Sequence, residues 1–170
     1  SAESTGLRYL GGDGAEGFER ALGPRPFEFT ADHGPHPAFR TEWWYFTGNV
    51  TTAEGRHFGL ELTFFRYALA PPSSEGAPRS AWRTSQFWMG HLAVTDTAAK
   101  RFVAAERLAR ESLDVAGAQA GPLRVWVEDW SATATDSGEF AVALSATDES
   151  SGIGLEIELA SDLPPVLQGD

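Results

Sequence analysis

The sequence predicts an all-β protein, an antiparallel barrel of about eight strands preceded by an irregular arm. From Phe27 onward, apolar and polar residues alternate with a period of two, which puts successive side chains on opposite faces of a strand. Short turn signals separate the alternating runs, so consecutive strands are expected to form hairpins. One predicted strand carries large aromatic residues at consecutive positions, Trp43, Trp44 and Tyr45. It therefore needs apolar or ligand-filled space on both sides, as the wall of a barrel provides.

Three segments are expected along the chain: an arm at 1–26, a barrel domain at 27–162 and a linker at 163–170. The arm is rich in glycine and polar residues, and at most a short helical turn is predicted over 16–22, ended by Gly23 and Pro24. The predicted strands span 27–30, 42–52, 56–69, 82–95, 102–108, 123–135, 140–147 and 153–161.

The connections between these strands have the composition of turns. Residues 53–55 (AEG), 136–138 (DSG) and 148–152 (DESSG) each separate two alternating runs, as hairpin turns do. Residues 71–79 (PPSSEGAPR) predict a longer loop at one mouth of the barrel. Residues 111–120 are weakly patterned, and the sequence does not distinguish a helical turn from a loop there.

Composition and charge exclude several functions. The 170 residues suffice for one domain, and a net charge of -11 without a basic stripe excludes a nucleic-acid partner. The chain has no cysteine, and hence neither a disulfide framework nor a cysteine nucleophile. No apolar run reaches the roughly 18 residues of a transmembrane segment. The glycines at 11–14 lack the spacing of a phosphate-binding loop, so we expect no cofactor.

Two groups of histidines are candidates for chemistry. His33 and His36 stand three apart in a loop, but without a third ligand the simpler interpretation is that they bond the loop backbone, and we expect no metal site. His91 lies in the middle of an apolar strand, beside Gly90. It is a candidate catalytic acid or base if it faces a cavity, and a hydrogen-bonded core histidine otherwise.

An interior ion pair is the next candidate. Arg66 falls on the otherwise apolar face of its strand, and a buried guanidinium needs a carboxylate partner. Glu42 and Glu61 are the candidate partners. Such a pair either orients a polar ligand head group or closes the barrel end, and Glu42 is a second candidate catalytic residue beside His91.

Aromatic side chains form the expected binding surface. A barrel lined with them suits a long apolar ligand such as a polyene or isoprenoid, held by burial worth about 25 cal/mol per Å². Aromatic residues also fill small barrels or pack one domain against another, and this alternative stays open. The candidate ligand-binding residues are Trp43, Trp44, Tyr45, Phe64, Arg66, Trp88 and Trp126.

Four blocks, in order, carry a family resemblance: HGPHPAFRTEWWYFTGNV, SQFWMGHLAVTD, RFVAAERLAR and VWVEDW. From about residue 27 to 170 the chain resembles the amino-terminal domain of the lipocalin-like family of carotenoid 1,2-hydratase (hydroxyneurosporene synthase), AttH-like proteins and bacterial predicted secreted hydrolases. The resemblance implies a lipocalin-like (calycin) barrel joined to a second such domain. The closing segment LPPVLQGD resembles the linker between the two.

The resemblance also implies the activity of a hydratase, which belongs to the lyases. The reaction is the acid-assisted addition of water to an isoprenoid double bond. The family's Trp-Met-Asp-His-Glu-Trp-like block, whose Asp is implicated in that step, has no counterpart in this sequence. Two alternatives remain: a non-catalytic lipid-binding or scaffold module, and part of a Diels-Alder-type cyclase. The expected partners are an apolar small-molecule ligand and a second lipocalin-like domain or chain, and the resemblance favours a periplasmic or secreted location.

Overall fold

The computed structural model describes residues 16–72, 85–111, 113–138, 140–164 and 166, apart from the side chain of Thr30. This part of the chain contains nine strands and one helical turn. They are α1 (Phe29–Asp32), β1 (Thr41–Thr51), β2 (His57–Ala68), β3 (Gln86–Asp96), β4 (Arg101–Arg110), β5 (Ala116–Gln119), β6 (Arg124–Val127), β7 (Trp130–Ala134), β8 (Val142–Asp148) and β9 (Ile153–Leu159).

The strands form two antiparallel sheets in which neighbours follow chain order. The first sheet has the order β1-β2-β3-β4, and the second has the order β5-β6-β7-β8-β9. The predicted all-β antiparallel class is therefore confirmed. Hydrogen-bonded ladders join strands within each sheet, and closure of the two sheets into one cylinder stays a prediction.

The core lies between the inner faces of the two sheets. It consists of alternate residues of both, among them Leu62 and Leu92 of the first sheet and Val125 and Trp130 of the second, all fully buried. Trp130 lies directly over Gly90, where an added Cβ would come within 2.9 Å of the indole Cε3 atom. Glycine at this position lets the indole pack against the sheet.

One expectation for the first thirty residues was wrong. The strand predicted at 27–30 is absent, and residues 29 and 30 belong to α1. The Asp32 carboxylate accepts a hydrogen bond from the Glu28 N–H at 2.6 Å, which closes this helical turn. Residues 16–22 begin with a turn and contain no helix. The arm nevertheless contacts the domain, since the Glu19 N–H donates to the Ala38 carbonyl at 2.9 Å.

Two further differences lie in the second sheet. Residues 111–120, for which the sequence did not distinguish a helical turn from a loop, contain β5. The single strand predicted at 123–135 is the hairpin β6-β7. Glu128 turns the chain there with a φ of 57°. Its N–H donates to the Val115 carbonyl at 2.7 Å, which fixes the hairpin end against the chain before β5. Residues 73–79 of the predicted long loop and 82–84 of the strand predicted at 82–95 lie outside the described residues.

Candidate functional site

A cavity of about 560 Å³ lies beside the first half of β1. Its walls are the loop that follows α1, β1 itself, the start of β8 and the segment 161–164 after β9. This volume is within the range of small-molecule sites in proteins.

Trp44 provides an apolar wall of the cavity. Its ring stacks on Trp88 with centroids 5.9 Å apart and an interplanar angle of 14°. The indole N–H donates to the carbonyl of His33 at 2.9 Å. Because this polar atom already has an acceptor, the indole ring presents an apolar surface.

A second aromatic group surrounds His33, in the loop that follows α1. The His33 ring lies 5.5 Å from the rings of both Phe29 and Phe140, measured between centroids. Burial lowers the pKa of His33 below its ordinary value of 6.5, although the charge of Asp32 opposes this shift. At neutral pH the imidazole is therefore uncharged, as an apolar wall requires.

The polar end of the cavity is built around His36. Its Nδ1 lies 2.6 Å from Glu42 Oε1, and its Nε2 lies 3.0 Å from Asp32 Oδ1. Burial alone would lower the pKa of His36, but the hydrogen bonds to Glu42 and then to Asp32 outweigh it and raise that pKa. A ring with a carboxylate on each nitrogen is an imidazolium that donates to both.

Glu42 accepts four hydrogen bonds. The His36 backbone N–H contacts its two oxygens at 2.9 and 3.0 Å, the His36 ring donates a third bond, and Arg66 Nε donates the fourth at 3.1 Å. Arg66 is 1% exposed and also donates through Nη2 to the carbonyls of His36 and Phe39, at 2.9 and 2.7 Å. The predicted pairing of Arg66 with Glu42 is present. Its use as a ligand anchor stays a prediction.

Asp32 extends this network to the arm. Its carboxylate accepts hydrogen bonds from Arg25, from the Glu28 N–H and from His36. These bonds, the one from Arg25 foremost, hold the pKa of Asp32 well below its usual range. The alternating charges Arg25, Asp32, His36, Glu42 and Arg66, the charge chain hereafter, tie the arm, α1, the loop and two strands together.

The other sequence-predicted residues divide into two groups. Trp43 and Tyr45 border the cavity, but they lie on the outer face of β1 and are 62% and 53% exposed, which corrects the expectation that both line an interior. Phe64 and Trp88 belong to the buried core, and Trp126 packs on Gly117 in the second sheet. None of these three borders the cavity.

His91 also lies away from the cavity. It occupies the outer face of β3, where its Nδ1 is 3.2 Å from Glu61 Oε1. Conversely, the cavity uses Asp32 and Phe140, which the sequence did not single out. The four-residue spacing of Asp32 and His36, one helical turn, was the available signal.

In the described part of the chain, no group of three or more histidine, aspartate or glutamate side chains has the arrangement of a metal site. Among the described residues, the helical segment falls far short of the length and apolarity needed to cross a bilayer.

The fold and the cavity define a class, an antiparallel β domain of two packed sheets with an aromatic cavity at the edge of the first. The AttH-like family model matches residues 20–170, and the chain belongs to this family, which confirms the resemblance seen in the sequence. A candidate AttH protein from Nitrosomonas europaea has a similar crystal structure, with a TM-score of 0.70 and 29% identity over 90% of this chain and 43% of that one. The chain thus spans less than half the length of this relative. Among curated proteins, no sequence matches significantly.

Proposed function

We propose that this AttH-like domain binds an apolar small molecule, of an isoprenoid or polyketide-like class, in the cavity beside β1. The observation that carries the proposal is the arrangement of the walls. An aromatic surface with satisfied polar atoms faces a cavity of about 560 Å³, and the ionised groups are confined to one end, where each has partners. A cavity built in this way holds apolar surface without an unpaired charge.

Burial supplies the binding energy. A ligand that loses about 200 Å² of apolar surface to the Trp44 side of the cavity gains about 5 kcal/mol at 25 cal/mol per Å². This gain alone corresponds to a Kd of about 0.2 mM, and the loss of translational and rotational freedom weakens it further, so burial against the other walls must contribute as well.

The geometry favours a binding role over acid catalysis by this chain alone. Acid-assisted hydration of a double bond needs a protonated group that can give up its proton. Glu42 accepts four hydrogen bonds and Asp32 accepts three, so this chain's own donors already occupy both carboxylates as acceptors. In a hydratase, the proton donor would then come from a second domain, and Glu42 would position the loop. His91 has no part in this proposal.

Titration with retinol, a polyene alcohol, tests the proposal through energy transfer from tryptophan to the bound polyene. Trp44→Ala is expected to weaken binding at least tenfold. Val142→Phe, which fills the cavity from β8, is expected to do the same without loosening the Trp44 wall. The matched control is Phe102→Ala, an aromatic residue that is 66% exposed on β4 and lies away from the cavity. Thermal melts confirm that each variant is folded.

Saturable binding that both cavity variants weaken and Phe102→Ala leaves unchanged supports the proposal. The absence of saturable binding to the parent protein refutes it, as does equal affinity in the parent and in folded Val142→Phe.

A further inference from the structure

One row of side chains on the outer face of the first sheet is apolar, although the outer face of a wall strand normally meets water. The register puts Trp43, Phe65, Met89 and Leu108 opposite one another in a single row across all four strands. Trp43 is 62% exposed and Leu108 is 59% exposed, at the two ends of the row. We name this line of side chains the outer row.

Aromatic residues flank the outer row on both sides. Tyr45 lies in the next row toward one end of the sheet and Phe87 in the next row toward the other, 53% and 38% exposed. Four strands spaced about 4.8 Å apart make the patch about 14 Å wide. Contiguous exposed apolar surface of this kind marks an interaction site.

We propose that the outer row is a homodimer interface, on which a second copy of this chain packs face to face. A second copy fits because the row is self-complementary. A two-fold axis parallel to the strands reverses the strand order, so that β1 of one copy lies over β4 of the other. Trp43 then faces Leu108, and Phe65 faces Met89, each pair matching a flat ring with a flexible aliphatic side chain.

The charges beside the outer row obey the same symmetry. The row on one side runs Tyr45, Thr63, His91, Glu106, so the two-fold puts the Tyr45 hydroxyl opposite the Glu106 carboxylate. On the other side, Arg110 of β4 faces Thr41 of β1. No like charges of these rows meet across the axis, so two chains of net charge -11 can approach on this face.

Sedimentation velocity of the complete chain, at about 1 to 100 µM without retinol, tests the dimer. The parent protein is expected to shift from the 18.3 kDa monomer to twice that mass as its concentration rises. Leu108→Glu and Trp43→Arg should each weaken the dimer at least tenfold, because each puts a charge against an apolar side chain. The double variant puts Glu and Arg opposite each other twice per dimer and should restore association.

Phe102→Glu is the matched control, because Phe102 lies on the same face of β4 and is 66% exposed, yet it is three rows away from Leu108. A parent chain that stays monomeric over the whole concentration range overturns the proposal. This is the result expected if a different domain, and not a second copy, covers this face. So does a dimer that Phe102→Glu weakens as much as Leu108→Glu does. The assay contains no ligand, so its outcome is independent of the binding function proposed above.

Discussion

Replacing Arg66 with methionine is expected to lower the free energy of unfolding by about 3–5 kcal/mol. The guanidinium donates to Glu42 at 3.1 Å and to the carbonyls of His36 and Phe39 at 2.9 and 2.7 Å. Methionine keeps much of the volume but donates no hydrogen bond. The Glu42 carboxylate, whose side chain is only 13% exposed, would then lack its guanidinium partner, and two loop carbonyls would lose a donor.

Urea unfolding followed by tryptophan fluorescence measures this loss, which is a large share of the 5–15 kcal/mol typical of a domain. It corresponds to a fall of roughly 10 °C in Tm for a chain of this length. Arg56→Met is the matched control, because it also leaves a carboxylate of similar burial, Asp96 at 12% exposed, while the Arg56 side chain itself is 52% exposed; it should therefore cost less than Arg66→Met. The double variant Arg66→Met with Glu42→Gln removes the stranded charge and should be less destabilised than Arg66→Met alone. A loss for Arg66→Met no larger than that for Arg56→Met would refute the reasoning.

Three other predictions concern pH and packing. Because the folded-state pKa of His36 is raised, its contribution to stability is complete below the unfolded value of 6.5 and is lost as pH rises through the folded pKa. The free energies of unfolding of the parent and of His36→Gln, measured in urea, should therefore converge with rising pH. The pKa of Asp32 is lowered, so its contribution is present above 3.8 and is lost as pH falls through the folded value, which Asp32→Asn should show as a reduced loss of stability in acid. Gly90→Ala brings a Cβ within 2.9 Å of Trp130 and should cost about 1–3 kcal/mol in urea unfolding, whereas Gly48→Ala, with nothing within 4 Å, should cost little; equal effects would contradict the close packing.

The strands of the first sheet could be predicted because each buries one face, and alternation reports that directly. The missed elements of the second sheet have different causes. β5 consists of small and polar residues, and it is held by backbone pairing with β6 and by Trp126, whose ring packs so closely that a Cβ added at Gly117 would come within 2.8 Å of it. The β6-β7 turn uses Glu128 in the left-handed region, which the usual Asn-Gly or Asp-Gly signal does not announce.

The candidate site was predictable only in part. The sequence indicated that Arg66 needs a carboxylate, and Glu42 is that partner. It did not indicate His36 as the centre of a network, because that role depends on a loop folding back until both ring nitrogens meet carboxylates. Residues distant along the chain, such as Phe140, enter the cavity through the packing of the second sheet, which no local pattern encodes.

The parity of β1 shows why two adjacent tryptophans have different surroundings. Alternation requires Trp43 and Trp44 to face opposite sides, but it does not say which of them faces in. The register with β2 decides this, because Trp44 lies opposite Phe64, which β2 buries completely in the core. Reversing the parity would move Trp44 from the core side into water and put Trp43 and Tyr45 in its place. The buried apolar face of β2 thus fixes the side of the sheet on which the cavity lies and leaves the outer row exposed.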